Sequence, residues 1–304
     1  MNSIQDKKVL VIIVTFNGIE WIEDCLHAVF ASTFNPDVMV IDNMSTDATC
    51  TIVEKFSDVI FIKNAENIGF GRANNTGLRY ALDNDYDYAF LLNQDTTVEP
   101  DMFERLILAF EQNPEYGILS PVHLTGSGSA LDSRFYGYLI SSYSSYVQDC
   151  MLNRVEDSVY SGYFVNAAFW LISRECIKHA GGFDPIFSHT GEDNDYINRT
   201  ISRGFKVGIV PGAYGYHRRE NRRQLSVNDL FYHKYVHSVV ALKSRQISLA
   251  GILYSVFLNT LVYFANLNFK NMFLNIKLFA KIVKVFSKIR KSRAIEEIDA
   301  TPHL

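Results

Sequence analysis

The sequence lacks the short motifs that mark several common classes of nucleotide-binding and disulfide-bonded proteins. It contains no G-x-G-x-x-G segment and no G-x-x-x-x-G-K-[ST] segment, which argues against the usual dinucleotide and ATP sites. Its four cysteines have no C-x-x-C spacing, so we expect small core residues in a reducing compartment. Residues 1–6 are polar and contain no apolar segment. A signal peptide is therefore not expected, and a cytosolic location is predicted.

The small net charge of the chain conceals an uneven distribution. The formal net charge is -4, yet every charged residue within 270–293 is a lysine or an arginine. The remainder of the chain is therefore strongly acidic, which argues against nucleic acid as a partner. A chain of 304 residues with 48% hydrophobic content can bury one large α/β core.

The first hundred residues alternate between apolar β-branched segments and segments with helical spacing. A strand buried on both faces is predicted at 9–15, and further strands are predicted at 38–41, 59–62 and 88–92. Helices are predicted at 21–30, from a cap at 45–47 to residue 56, and at 71–82. This order predicts an α/β fold with a doubly wound, mostly parallel, Rossmann-like sheet.

Polar side chains follow each predicted strand at the point where the strand ends. They are Thr15 and Asn17, Asp42 and Asn43, Asn64 and Asn67, and Asn93 and Asp95. Ligands of such sheets lie beyond the carboxyl ends of the strands, so we expect these side chains to surround one crevice. The glycine- and asparagine-rich loop 67–77 is either part of this site or a turn with amide caps.

Three carboxylates occur within residues 192–195, behind a glycine and before a helical pattern. Acidic residues are common at helix starts, so this segment alone indicates no more than a cap. However, Asp95 follows an apolar strand and His217 follows another short strand. Together these sites indicate a metal ion and a base over one cleft, which predicts an enzyme.

The order of these motifs resembles family 2 glycosyltransferases over residues 8–220. The matching segments are 14–17, 40–47, 67–77, 91–96, 181–184 and 192–193. The similarity is greatest to bacterial rhamnosyltransferase-like members that build cell-surface polysaccharide. The resemblance implies a GT-A fold, a dTDP- or UDP-linked sugar donor such as dTDP-rhamnose, and inversion at the anomeric carbon. The Q-x-x-R-W motif of processive synthases is absent, which favours addition of a single sugar.

The resemblance also assigns the residues of the donor site. Those that would bind the nucleotide sugar are Thr15, Asn17, Asp42, Asn43, Asn67, Gly69, Arg72, Asn74, Asn75, Asn93 and Asp95. Asp42 would accept a hydrogen bond from N3–H of uracil or thymine. Asp95 and His217 would bind Mg²⁺ or Mn²⁺. Because Asn93 replaces the first carboxylate of the family's D-x-D motif, we expect weak metal binding without the diphosphate.

The resemblance makes Asp193 the catalytic base, with Glu192 helping to place the base or the acceptor. An acceptor hydroxyl is a poor nucleophile at neutral pH, so a carboxylate must take its proton. The acceptor would be a glycan or a lipid-linked glycan, and its expected contacts are Trp170, His189 and Arg219. For Trp170 the alternative is a place in the core.

In the second half of the chain, the sequence pattern is less regular than in the first hundred residues. Segment 136–146 is expected to be a mobile loop or ordinary surface packing, and 163–172 a core strand. We expect a catalytic domain at 1–225, divided into a nucleotide-binding half at 1–97 and an acceptor half at 98–225. A helical extension is expected at 226–304.

The carboxyl-terminal extension contains two distinct patterns. Residues 246–269 carry no charge but contain several polar residues, which predicts a poor membrane span. Lysines then recur on one face of an amphipathic helix, at positions 277, 281, 284, 288 and 291. Such a helix is expected to bind the inner face of the cell membrane peripherally. The alternative is packing on the catalytic domain or on another subunit of a homo-oligomer.

Two other functions share parts of this pattern. A sugar-phosphate nucleotidyltransferase would share the sheet, but it requires a G-x-G-[ST]-R-type loop after the first strand, where this chain has Thr-Phe-Asn-Gly. A non-catalytic, membrane-associated protein that binds nucleotides or sugars would keep the cleft without needing Asp193.

Overall fold

The amino-terminal half of the chain forms four parallel strands, as the sequence predicts. The computed structural model describes residues 4–156, 159–188, 190–219, 226–299 and 301–304. The strands are β1 Val9–Thr15, β2 Asp37–Asp42, β3 Val59–Lys63 and β4 Tyr88–Asn93. Strand β1 pairs with β2 and β4, and β2 pairs with β3. The helices between them are α1 Ile22–Phe30, α2 Thr49–Val53 and α3 Phe70–Asp83.

The second half of the chain extends the same sheet with mixed strand directions. Its strands are β5 Thr96–Val98, β6 Tyr116–Thr125, β7 Tyr160–Gly162, β8 Phe169–Ser173 and β9 Lys206–His217. The sheet order is β3-β2-β1-β4-β8-β6-β9-β5, and β7 also pairs with β9. Strand β8 is antiparallel to both β4 and β6, whereas β6 and β9 are parallel. The predicted α/β fold with a mostly parallel sheet is confirmed.

Helices cover both faces of the sheet, which explains the unbroken apolar sequence of β1. Val9, Val11 and Ile13 pack in the core cluster on one face, whereas Leu10 and Ile12 pack in the cluster on the other face. Two layers of helix on one sheet bury both sets of alternating side chains. The sheet edge at the carboxyl ends of β1, β2 and β4 remains available for ligands.

The predicted mobile loop at 136–146 is wrong, because these residues lie in helices. Helices α4 Met102–Gln112, α5 Ser133–Ser142 and α6 Ser144–Met151 belong to this half of the chain. The Asp132 side chain caps α5 by accepting from two backbone N–H groups of its first turn. Phe135, Leu139 and Tyr143 are buried at a spacing of four residues. This helical stripe was hidden by the tyrosine- and serine-rich composition around it.

Two further boundaries also differ from the prediction. The strand predicted at 163–172 begins only at Phe169, and Tyr163 is exposed. Helix α2 begins at Thr49. Within the predicted cap 45–47, the Ser45 side chain donates to Asp42, whereas Asp47 Oδ1 accepts from the Thr49 backbone N–H at 3.0 Å.

The carboxyl-terminal residues form the predicted helical extension. Helices α7 Arg174–Ala180 and α8 Glu192–Ser202 precede it, and it consists of α9 Val227–Lys243, α10 Leu249–Ala265 and α11 Phe269–Ile298. Leu278, Ile282 and Ile289 of α11 are buried in a cluster with residues of α9 and α10. Part of the apolar face of α11 therefore packs inside the protein, as the packing alternative states. In the described ranges, no helix is long and apolar enough to cross a membrane.

Candidate active site

Hydrogen bonds join the loops that follow β1 and β2 into one wall. Thr15 Oγ1 donates to Asp42 Oδ1 at 3.0 Å, and the backbone N–H of Ser45 donates to Asp42 Oδ2 at 2.8 Å. Asn17 has a positive φ of 47°, and its Oδ1 accepts from the Thr46 backbone at 2.8 Å. Three residues predicted to bind nucleotide therefore do meet at the strand ends. Their contacts with a nucleotide stay a prediction.

The neighbouring residue Asn43 also belongs to this edge of the sheet. Asn43 is buried, and its Oδ1 accepts from Asn64 Nδ2 at 2.9 Å. This bond connects the ends of β2 and β3. The predicted grouping of polar side chains at successive strand ends is thus present in the fold.

The glycine-rich loop turns sharply before α3. Asn67 Oδ1 accepts from the Gly69 backbone at 3.0 Å, and Gly69 has a φ of 85°. A Cβ atom at Gly69 would lie 2.9 Å from the Ser188 carbonyl oxygen, so the position requires glycine for two reasons. Arg72 is exposed on the first turn of α3.

Asn74 and Asn75 have partners within the protein. Asn74 Nδ2 donates to the Phe70 carbonyl at 3.0 Å. Asn75 Nδ2 donates to the Phe183 carbonyl at 2.8 Å, and its Oδ1 accepts from the Phe183 backbone at 2.6 Å. The Asn74 amide bonds within α3, whereas the Asn75 amide ties α3 to the Phe183 backbone. The predicted donor contacts of both residues remain untested.

The predicted metal ligands lie side by side although they are 122 residues apart. Strand β5 pairs with the end of β9, which brings Asp95 Oδ1 within 3.2 Å of His217 Nε2. Burial lowers the pKa of His217, which favours the neutral imidazole that ligates metals. Arg219 Nε donates to the same His217 nitrogen at 2.8 Å.

The side chains of Asp95, His217 and Asn93 together fit a divalent cation, provided that Arg219 gives up its hydrogen bond to His217. A carboxylate oxygen, a neutral imidazole nitrogen and the Asn93 amide are ligand types that Mg²⁺ or Mn²⁺ accepts, with the carboxylate preferred. A cation on His217 Nε2 would have to replace the hydrogen bond from Arg219. We therefore expect Arg219 to move when the site is loaded.

The two adjacent carboxylates lie in the first turn of α8. Burial raises the pKa of Asp193, whose Oδ1 accepts from the Asn194 backbone at 2.8 Å. Burial and the charge of Asp193 raise the pKa of Glu192 to about 7. Glu192 Oε2 is buried and has no hydrogen-bond partner among the described residues. The pair therefore contains two carboxylates that bind protons more tightly than usual.

Two adjoining cavities of about 400 Å³ each bring the two halves of the site together. The metal-side cavity is lined by Val14, Trp21, Asn93, Gln94, Asp95 and Arg219, among others. The base-side cavity is lined by Asn93, Arg134, Asn166, Asp193, Arg219 and His233, among others. Asn93 and Arg219 belong to both. The two cavities therefore share part of their walls.

The three residues predicted to contact the acceptor differ in where they lie. Of the two alternatives for Trp170, the acceptor contact is wrong and the place in the core is confirmed. Trp170 is fully buried on β8, where its Nε1 donates to the Val165 carbonyl at 3.2 Å. Trp170 stacks against Phe183 in the core. Arg219 lines both cavities, and its contact with the acceptor stays a prediction. His189 lies outside the described residues.

Sequence reasoning missed an arginine and a histidine of the base-side cavity. Arg134 follows the Asp132 cap of α5, and its charge lowers the pKa of Asp193 against the larger effect of burial. His233 comes from α9. The Asp132 capping pattern could have indicated the start of α5, but no local signal places α9 beside the base.

Comparisons with known proteins show the family of the chain. Residues 10–175 match the sequence model of glycosyl transferase family 2. The glycosyltransferase GlyA of Streptococcus pneumoniae serotype 4 is 25% identical over 255 residues, which cover 80% of this chain and 35% of that protein. An uncharacterized glycosyltransferase of Haemophilus influenzae is 31% identical over 101 residues, which cover 32% of this chain and 37% of that protein. The chain thus spans about a third of the length of these curated relatives.

Solved structures show the same fold at low identity. The structure of S. aureus TarS 1-349 has a TM-score of 0.57 at 16% identity and covers 77% of this chain and 65% of that chain. GalNAc-T7 with UDP, GalNAc and Mn²⁺ also has a TM-score of 0.57 at 16% identity, over 76% of this chain and 48% of that chain. The fold is that of GT-A proteins. The chain belongs to glycosyl transferase family 2.

Proposed function

We propose that the chain is an inverting glycosyltransferase that moves a single sugar from a nucleotide-diphosphate sugar to a hydroxyl of a glycan or lipid-linked glycan. The supporting observation is the pair of adjoining cavities, with Asp95 and His217 in or beside one and Asp193 in the other. TarS has been solved with UDP and with UDP-GlcNAc, which supports a nucleotide-sugar donor. A dTDP-linked donor such as dTDP-rhamnose is the finer form of this proposal.

The chemistry follows from the placement of the charged groups. The Asp193 carboxylate takes the proton of the acceptor hydroxyl while the acceptor oxygen forms a bond to the anomeric carbon. The bond between that carbon and the diphosphate oxygen breaks, and its electron pair leaves with the nucleoside diphosphate. Because Asp193 binds protons more tightly than a solvated carboxylate, it is a stronger base at neutral pH. No covalent sugar–enzyme intermediate is required.

Asp95, with His217 and Asn93, would hold Mg²⁺ or Mn²⁺ beside the diphosphate. When bound, such an ion neutralises the negative charge that develops on the leaving group. Arg219 supplies a second positive charge at the boundary of the two cavities. The chain's own residues thus orient the donor on one side and remove the acceptor proton on the other.

Replacement of Asp95 by alanine should abolish metal-dependent nucleotide binding. Ligand bound only by the folded protein adds about 2.7 kcal/mol of stability at a hundredfold excess over Kd. Thermal unfolding would be measured with UDP, dTDP and GDP, each with and without Mn²⁺. We expect a Mn²⁺-dependent rise in Tm with UDP or dTDP that Asp95→Ala lacks. Asp58→Ala, which removes an exposed carboxylate elsewhere, is the matched control. Absence of a shift with every nucleotide would refute the donor site.

We also propose that the extension binds an anionic membrane surface. Helix α10 exposes a set of large apolar side chains, namely Leu253, Tyr254, Phe257, Leu258, Leu261, Val262 and Phe264. Helix α11 adds exposed lysines of the predicted basic stripe. Apolar side chains enter the interface while cations attract anionic lipid head groups.

Serine at Phe257, Leu261 and Phe264 together should reduce binding to anionic vesicles by more than about tenfold, because each lost apolar contact is worth over 1 kcal/mol. Co-sedimentation with anionic and with neutral vesicles would measure this. The control places serine at Tyr136, Ile140 and Met151, which are exposed apolar residues of α5 and α6. Equal sedimentation of both triple variants would disprove the assignment. Deletion of the extension is unsuitable, because its buried residues pack on the catalytic region.

A further inference from the structure

The base-side cavity adjoins a second, mostly apolar groove, and His233 lines both. This groove, here called the helical groove, lies among α9, α10 and α11 and has a volume of about 410 Å³. Its apolar lining comes from Ala241, Ile247, Ile252, Val256 and Leu278. A groove of this size and composition is within the range of sites that bind small organic molecules.

The base-side cavity, which shares His233 with this groove, carries the positive charge of Arg134. Arg134 is exposed at the start of α5, and among the described residues it has no ion-pair partner. Arg134 and Asp193 both line the base-side cavity, so the arginine shares this cavity with the proposed base. An arginine in this position suits a phosphate group, which it binds through two parallel N–H donors.

The helical groove also borders the surface that we propose contacts the membrane. Helix α10 supplies Ile252 and Val256 to the groove and, on its outer side, the exposed Phe257 and Leu261. A hydrocarbon chain that leaves the groove would therefore meet apolar side chains and then lipid. The Arg134 cation, the apolar groove and the exposed apolar surface of α10 therefore correspond, in this order, to the head group of a lipid, its hydrocarbon chain and the surrounding bilayer.

We propose that the helical groove holds the hydrocarbon chain of a lipid-linked acceptor whose phosphate is bound by Arg134 and whose sugar hydroxyl reaches Asp193. His233 lies at the junction between chain and head group. This inference rests on the proposed function, because it names the acceptor class for the same site. It assigns acceptor recognition to Arg134 and to the carboxyl-terminal helices, in addition to the strand-end residues.

Farnesyl diphosphate and inorganic diphosphate are suitable probes, because they differ only in the hydrocarbon chain. Binding to the full chain would be measured by calorimetry without detergent, with saturating UDP and Mn²⁺ to occupy the metal-side cavity. We expect farnesyl diphosphate to bind at least about tenfold more tightly than inorganic diphosphate, since several CH₂ groups become buried. Arg134→Ala should weaken both probes, and Arg134→Lys should restore part of the loss.

A variant with a tryptophan that fills the groove tests the hydrocarbon site independently of the head-group site. Ser255 lines the groove at an exposed position, so Ser255→Trp should remove the preference for farnesyl diphosphate and leave inorganic diphosphate binding unchanged. Ser287→Trp, the same change at an exposed site on α11 outside the groove lining, is the matched control. Ser238→Trp fills the groove from α9 and decides the question if Ser255→Trp does not fold.

Equal affinity of the wild-type chain for the two probes would overturn the inference. An unchanged preference in a folded groove-filling variant would do the same. In either case, a retained Mn²⁺-dependent Tm shift with UDP or dTDP would leave the proposed function standing. Loss of nucleotide binding in the wild-type chain would instead refute the proposed function itself. The two failures are therefore distinguishable in one set of samples.

Discussion

Replacement of Asp193 by asparagine is expected to reduce the rate of sugar transfer by roughly 100- to 10,000-fold, the usual contribution of a general base. The amide has nearly the same shape but cannot take the acceptor proton. Nucleotide binding should persist, because Asp193 lines the base-side cavity and Asp95 lines the metal-side cavity. The measurement is incorporation of labelled sugar into a lipid-linked glycan acceptor, with the Tm shift by nucleotide recorded on the same protein.

Glu192→Gln is the matched control, because it changes the adjacent carboxyl and keeps the base. With a pKa of about 7, Glu192 is charged above that pH and neutral below it. Loss of this neighbouring charge lowers the pKa of Asp193 and makes it a weaker base. We therefore expect a decline in wild-type transfer as pH falls through about 7, which Glu192→Gln should lack. Normal turnover by Asp193→Asn, or an equal loss in both variants, would exclude Asp193 as the base.

Lys243→Met is expected to lower the free energy of unfolding by about 3–5 kcal/mol, because it leaves buried carboxylates without their cation. Lys243 is buried at the end of α9, and its Nζ lies 2.6 Å from Asp195 Oδ1 and 3.1 Å from Asp184 Oδ2. Its ammonium also pairs with Glu296 of α11. Chemical denaturation at pH 7 would measure the change.

The control for this variant is Lys206→Met, which removes an exposed lysine paired with Glu115 at 3.3 Å. Exposed ion pairs contribute about 0–1 kcal/mol, so its effect should be small. A loss below about 1 kcal/mol in Lys243→Met would mean that the buried cluster does not hold the helices together.

The same cluster determines how stability depends on acid. Burial opposes ionisation of Glu296, but the hydrogen bond from His303 and the charge of Lys243 outweigh it and lower the pKa to about 2. A carboxyl with a depressed pKa stabilises the fold above its unfolded pKa, and that stability is lost as pH falls towards about 2. Lys243→Met should reduce this dependence on acid.

The buried cluster also connects the extension to the proposed base. Asp195 lies two residues after Asp193 on α8, where it pairs with Arg199 at 3.0 Å as well as with Lys243. The Gly191 backbone, at the start of the same helix, packs against Val236 of α9. The position of α8 therefore depends on helices that are distant from it in sequence. We infer that the extension supports the active site in addition to any contact with a membrane.

The sequence by itself determined the amino-terminal half of the fold and the grouping of its polar residues. Short uninterrupted apolar segments predict β1 to β4 with small errors, because this pattern is local. Parallel strands connected by helices leave few topologies, so Thr15, Asp42 and Asp95 could be assigned to one edge of the sheet. The order of the motifs then indicated the family, which the match over residues 10–175 confirms.

Only the tertiary structure decided which distant residues meet these strand ends. Asp95 contacts His217 because β5 pairs with β9, and Arg134 and His233 reach the base through the packing of α5 and α9. Trp170 is buried because β8 lies in the middle of the sheet, between β4 and β6. These contacts join residues far apart in the chain, so no periodicity within one segment encodes them. The acceptor side and the Asp95–His217 contact therefore depend on packing, whereas the grouping of donor-side residues at the ends of β1, β2 and β4 follows from local sequence pattern.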